Sequence, residues 1–358
     1  MEYPPQPLAN YRPVRELTPR GLVRIYSQLS KARLTTLVVL TAMSGVALSP
    51  LHASVPVLLS TAVGTTLCAA SANTINQLLE EPFDAQMIRT RNRPLVRRAI
   101  TPLHAFGFAA VTGTLGPAIL YALVNPLTAA LGAANIALYA GVYTLMKRRT
   151  IWNTWVGAVV GAIPPLMGWT ACGGHIFPSA SYPIETFLPP FLSNASPGLS
   201  LEAINNPLSA FALLSFLFSW QFPHFNALAH TTRASYAQAG YHMLSVIDPY
   251  KNATVSLRHS ALLLFICSIL TPLSGLTTWN FALTSLPPNL ILLRSAWKFA
   301  RNPTDKTARA VWRNSLWYLP VLLGLMMFHK QGMEWLKWIG IQRNRSEDQD
   351  GEEIIESS

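Results

Sequence analysis

Between two long apolar runs the chain sets Asn73, Asn76, Glu80 and Asp84, followed by Arg89 and Arg93. Asn76, Glu80 and Asp84 recur every four residues, so on a helix their side chains project from nearly one face, within reach of one shared cation. Amide and carboxylate oxygens suit a hard divalent ion. Arg89 and Arg93 repeat that spacing one turn later, and planar guanidinium forks match phosphate oxygens. Metal ligands followed by arginines spell a diphosphate site. A blander reading also fits: a salt-bridged, solvated loop that anchors the span before it. Pro82 interrupts the run and predicts a kink or opening near Glu80, with Asp84 on a separate turn.

Elements that position such a cluster must lie in a membrane. Half of the 358 residues are apolar and only 12% are charged, which excludes an ordinary soluble domain. The net charge of +11 does not point to nucleic acid, because the basic residues sit in short segments between apolar runs and form no single amphipathic surface. Cys68, Cys172 and Cys267 are isolated, so neither a disulfide framework nor a zinc site is indicated.

Apolar runs of spanning length fall at about 34–50, 55–78, 104–123, 127–146, 153–171, 208–224, 258–276, 279–296 and 312–329. The fold class expected is therefore all-α: a polytopic integral membrane helical bundle of about nine transmembrane helices. Pro287 and Pro288 break the eighth run. Lys and Arg collect in alternate connections: the N-terminal arm, Arg89 to Arg98, Lys147 to Arg149, the segment of Arg233 and Lys251, and Arg294 to Arg313. The 172–206 connection, with five Pro and no Lys or Arg, falls on the other side. Three regions follow: a polar arm over 1–30, a transmembrane domain over 31–330, and a polar, acidic tail over 331–358 that reads as disordered. Glu2 and Glu16 make the arm a poor presequence, or a remnant of one.

A second polar stretch, from Gln221-Phe-Pro-His-Phe-Asn226 onward to Tyr236, Tyr241 and His242, follows the sixth run as the first motif follows the second. Both lie on the positive side and suit a two-part site, although an interfacial aromatic belt fits the second equally. His224, polar at membrane depth, is a functional candidate or a satisfied neighbour. Gly157 and Gly161 form a GxxxG in the fifth run that reads as close helix packing. Asn194-Ala-Ser196 and Asn252-Ala-Thr254 are formal glycosylation sequons.

The ordered strings Asn76-Gln77, Glu80, Asp84, Met87, Arg89-Thr90 and Arg93-Pro94-Leu95, then Asn153 to Pro165 with Gly168-Trp169, then Phe222-Pro-His-Phe-Asn226, resemble the UbiA-type intramembrane prenyltransferase superfamily, in its mitochondrial heme-modifying branch. Ser27 to Lys31 with Arg33 resembles that family's first helix, so the likeness covers roughly residues 22 to 325. The resemblance implies transfer of a farnesyl group from farnesyl diphosphate to a vinyl group of heme B, giving heme O, the precursor of heme A for cytochrome c oxidase. It implies a magnesium ion held by Asn76, Glu80 and Asp84. Arg89, Arg93, Lys147 and Arg148 would bind the diphosphate, Asn73 would support the helix face, and His224 would serve as heme ligand or acid–base group. Implied partners are farnesyl diphosphate, heme B, the lipid bilayer and the downstream heme A synthase, with a homo-oligomer left open. The implied location is the mitochondrial inner membrane, with both motif loops on the matrix side. One departure stands out: where the superfamily carries acids before the tyrosine matching Tyr236, this chain reads Arg233-Ala234-Ser235. A transporter, or a non-catalytic assembly factor for the respiratory chain, is the competing class.

Overall fold

The structure, a computed structural model, describes residues 18–189, 191–192 and 205–332. Most of the polar arm, the acidic tail and Asn194 of the first sequon lie outside them. Helix starts repeat one device: Thr18-Pro19, Thr101-Pro102, Asn125-Pro126, Asn206-Pro207 and Asp248-Pro249 each set a side-chain acceptor just before a proline. Proline's fixed φ and missing N–H suit the first turn, and the cap oxygen takes an orphan N–H. Asn125 accepts from the Thr128 amide at 2.8 Å, and Asp248 from that of Lys251 at 2.8 Å.

The described residues contain helices and no named strand, with one isolated bridge between Thr277 and Lys330. The helices are α1 (Pro19–Leu29), α2 (Ala32–Leu48), α3 (Val55–Asp84), α4 (Pro102–Leu123), α5 (Pro126–Met146), α6 (Asn153–Ala171) and α7 (Pro207–Thr231). Short α8 (Arg233–Gln238) and α9 (Leu244–Ile247) precede α10 (Pro249–Leu273). The last three are α11 (Asn280–Thr284), α12 (Leu286–Arg301) and α13 (Asp305–Phe328). The eighth run is broken as its prolines led one to expect, into α11 and α12 at Ser285; Pro287 and Pro288 lie in the first turn of α12, where a missing N–H costs nothing. Pro82 likewise opens nothing, because α3 runs through it to Asp84 and only the final turn lacks that donor.

Among the described residues α3, α4, α5 and α10 are each long and apolar enough to cross a bilayer, and the bent pair α1–α2 makes a fifth if it is one span. The nine expected spans all fall on helices, but the others miss that standard for physical reasons. Helix α12 has only 16 residues and carries Arg294, Lys298 and Arg301. Helices α6 and α7 bring Asn153, Asn226 and His230 into the interior, and α13 begins with charged residues. Leu37, Leu59, Leu103 and Phe106 stay exposed on the outer faces of α2, α3 and α4, as a lipid-facing surface requires.

Interior packing around Trp169, Phe216, Phe281, Phe299 and Tyr318 unites α6 and α7 with the C-terminal helices. Helices α2 and α6 meet backbone to backbone: a Cβ on Gly45 would overlap the Pro165 carbonyl oxygen, and one on Gly168 that of Ala42. Gly157 and Gly161 instead make room for side chains, Tyr143 and Gln221 respectively. Asn252 is 1% exposed; its side-chain amide donates to the Asn226 carbonyl at 3.0 Å, and the Asn226 side-chain amide donates to the Asn252 carbonyl at 3.3 Å. In the folded chain that sequon is closed to a glycan.

Candidate active site

The last three turns of α3 carry Asn73, Asn76, Glu80 and Asp84 on one buried face, each at 5% exposure or less. Because α3 stays helical through Pro82, the four-residue spacing holds and Asp84 ends the helix instead of sitting on a separate turn. Glu80 accepts from Lys147 Nζ at 2.6 Å, with Arg93 Nη1 at 3.8 Å from its other oxygen. Arg93 also pairs with Asp84 Oδ2. Arg93 reaches back because the chain turns sharply after α3, where the Thr90 hydroxyl donates to the Asp84 carbonyl at 2.9 Å.

Behind the acids, Asn76 accepts from Lys31 Nζ at 2.8 Å and donates to Thr144 Oγ1 at 3.0 Å. Asn73 donates to the Ser30 carbonyl at 3.1 Å and to Thr35 at 3.3 Å, which ties α3 to the α1–α2 junction. Lys31 reaches the cluster because α1 and α2 bend by 56° around it and its own φ is +49°, a left-handed conformation that turns the side chain inward. Tyr139, on the wide π turn of α5, donates to Asn73 at 3.4 Å and accepts from Lys31 at 3.4 Å. Lys31 and Tyr139 were not among the site residues expected from sequence. The readable trace of Lys31 was a lone lysine at the mouth of the first apolar run; nothing local marked Tyr139.

Burial is the largest single influence on the Lys147 ammonium and draws it down, but the Glu80 carboxylate, with smaller help from Tyr139 and Tyr236, more than offsets it and holds Lys147 above its ordinary range. Its ammonium also lies 4.6 Å from the Tyr143 ring centroid. The remaining basic residues stand further out. Arg89 is exposed and donates to Tyr236 at 3.5 Å, and the Arg148 guanidinium lies 4.1 Å from the Phe83 ring centroid. The second polar stretch folds over this mouth: the His242 amide donates to the Lys147 carbonyl at 2.8 Å, and Tyr241 meets Phe83 edge-on.

His224 is not joined to the acids. Its ring stacks on Trp220, with centroids 4.8 Å apart, and Nδ1 shares a hydrogen bond with Ser315 of α13 at 2.9 Å. No carboxylate fills the second acidic position: Asp248 caps α10, while Arg233 binds Asp305 at 2.5 Å.

The oxygen donors of Asn76, Glu80 and Asp84 fit a hard divalent ion, and Asp84 Oδ1 is buried without a hydrogen-bond partner among the described residues. Next to Asn73 and Tyr139 lies a cavity of about 100 Å3 walled by Leu34, Val38, Ala72 and Met167. An anion-binding head above an apolar hole is what a diphosphate on a hydrocarbon chain requires.

The described residues form a helical bundle with acids and basic residues gathered at one mouth, and comparison with known proteins assigns that bundle to a family. The chain belongs to the UbiA prenyltransferase family, whose family model matches residues 38–324. It is 44% identical over 329 residues to the mitochondrial protoheme IX farnesyltransferase of Yarrowia lipolytica, covering 87% of this chain and 63% of that protein. It is 45% identical over 307 residues to the protein of that name from Homo sapiens, covering 86% of this chain and 62% of that one. The chain thus spans somewhat under two thirds of these relatives' length. Among solved structures, a digeranylgeranylglyceryl phosphate synthase matches with TM-score 0.63 at 13% identity, covering 86% of this chain and 98% of that one. A UbiA homolog from Archaeoglobus fulgidus bound to GPP and Mg2+ matches with TM-score 0.51 at 12% identity, covering 84% and 99%. These likenesses establish the fold. Membership of this family does not favour the transporter or assembly-factor reading.

Proposed function

We propose that this chain transfers a farnesyl group from farnesyl diphosphate to a vinyl carbon of heme B, forming heme O in the mitochondrial inner membrane through nine crossings with both motif loops facing the matrix. The observation that carries the reading is the buried pair Glu80 and Asp84, held by Lys147 and Arg93 beside an apolar cavity. The relatives' names support heme as the acceptor and a mitochondrial location.

In this reading Asn76, Glu80 and Asp84 hold magnesium, which when bound neutralises diphosphate oxygens and eases departure of the leaving group. Arg93, Lys147 and Lys31 meet the charge that develops on the departing diphosphate, and Arg89 and Arg148 receive it at the mouth. Asn73 fixes the α1–α2 junction so that Lys31 points inward. The prenyl tail occupies the cavity beneath Tyr139, where the ring face stabilises the allylic cation and apolar walls exclude water. His224, with Trp220 and Ser315, serves the heme side. The test is expression in a host deprived of its own heme-prenylating activity, with mass spectrometry of extracted hemes. Farnesylated heme with the parent and none with Asp84→Asn is expected; a prenylated lipid or quinone in its place overturns the acceptor.

A further inference from the structure

Helices α12 and α13 lie side by side with a cavity of about 340 Å3 between them, remote from the acid cluster. On α12 its wall is Ile291, Arg294, Ser295 and Lys298, one helical stripe; on α13 it includes Ala310 and Asn314. Arg294 and Lys298 are exposed and one turn apart, and among the described residues neither makes a hydrogen bond or an ion pair. Asn314 is likewise unpartnered. The nearest carboxylate in sequence, Asp305, is engaged by Arg233 at 2.5 Å. Residues 294–313 hold six Lys and Arg against that single acid. Trp297 is exposed on α12, with the Arg301 guanidinium 5.0 Å from its ring centroid, which suits the depth of a bilayer interface.

Two unpaired cations one turn apart, with a side-chain amide donor across a groove and an apolar floor of Ile291 and Ala310, are complementary to a phosphodiester that carries hydrocarbon chains. We propose that the α12–α13 groove binds the headgroup of an anionic phospholipid. Arg294 and Lys298 take the phosphate oxygens, Asn314 donates from the opposite wall, and the acyl chains lie along the outer apolar face beside Ile291. Free phosphate shares the headgroup chemistry but gains nothing from the floor.

The test is native mass spectrometry of the purified full chain in detergent, titrated with phosphatidylglycerol or phosphatidylcholine of matched acyl chains, for the parent, Arg294→Ala/Lys298→Ala and Asn314→Leu. Retention of phosphatidylglycerol should exceed that of phosphatidylcholine by about tenfold in the parent, and most of that preference should vanish in the double variant. Asn314→Leu keeps both cations and should lose a smaller part, so the proposal stays testable if the double variant misfolds. Three results overturn it: equal retention of the two lipids by the parent, an undiminished preference in both variants, or displacement of phosphatidylglycerol by millimolar inorganic phosphate.

Discussion

Replacing Glu80 by Gln removes the anion that Lys147 touches at 2.6 Å while keeping the shape of the side chain. The Lys147 side chain is 11% exposed, so its ammonium would stay buried without a counter-ion. Breaking a buried pair in this way costs about 3–5 kcal/mol. The lower end applies here, because the Tyr143 ring face at 4.6 Å and partial access to solvent remain. About 3 kcal/mol corresponds to a fall in Tm of roughly 6 °C, at about 2 °C per kcal/mol for a chain of this size. Glu80→Gln/Lys147→Met removes both charges, and replacing a buried ion pair by neutral groups of similar volume is often close to neutral. The double variant should therefore regain the parent's Tm and still fail to transfer farnesyl, having lost the proposed magnesium oxygen and the proposed leaving-group cation together. The assays are thermal unfolding of the purified protein in detergent and farnesyl transfer to heme in membranes at saturating magnesium. Recovery of transfer along with stability would show that the pair is only a structural tie. No loss of Tm in Glu80→Gln would show that Lys147 does not depend on this carboxylate.

Asp84→Asn should abolish transfer across a magnesium titration, since tenfold more metal recovers only about 1.4 kcal/mol while a lost charge-assisted contact costs about 1.5–3 kcal/mol; parental activity at low magnesium refutes the ligand role. His224→Ala should weaken heme binding and leave farnesyl diphosphate affinity within about twofold, because the ring meets Trp220 and Ser315 and not the acids; calorimetry with each substrate decides it. Gly168→Val should lower stability by more than about 3 kcal/mol, because its Cβ meets the Ala42 carbonyl and backbone cannot yield as a side chain does. The matching change at Gly107, which has open space around it, should be tolerated; equal losses in accumulation and Tm would refute the close approach of α2 and α6.

Local chemistry was legible in the sequence wherever one helix supplied it. The four-residue spacing of Asn76, Glu80 and Asp84, and the polar-then-proline helix starts, need no partner to be read. Pro82 misled, while Pro287 correctly marked a break, because a proline interrupts a helix in its interior but is tolerated in the last turn or the first, and sequence alone does not say where the ends fall. Gly157 and Gly161 do sit in close packing, against the Tyr143 and Gln221 side chains, but nothing in their spacing said that the backbone-to-backbone approach is made by Gly45 and Gly168 on different helices. Lys31 and Tyr139 escaped notice because each reaches the site through a backbone irregularity, a left-handed residue in one case and a π turn in the other.

That hidden part settles the charge balance of the site. The visible motif offers two carboxylates and the arginines after them, and this alone would suit an ordinary salt-bridged loop. Lys31 and Lys147 arrive from the ends of other helices, so three basic side chains, with Arg93, face two carboxylates in a partly buried space. A surplus cation away from water is costly unless an anion joins it. In the proposed reaction a diphosphate ester, which remains anionic even with magnesium bound, would supply the missing charge, and the acids would keep the cations in place until it arrives. The Lys31→Met variant therefore carries the sharpest consequence: it removes the surplus without touching either carboxylate, and it should leave stability equal or raised while farnesyl diphosphate affinity falls at least tenfold. A variant that loses stability and keeps its affinity would mean that Lys31 only pins Asn76 and contributes no charge to diphosphate binding.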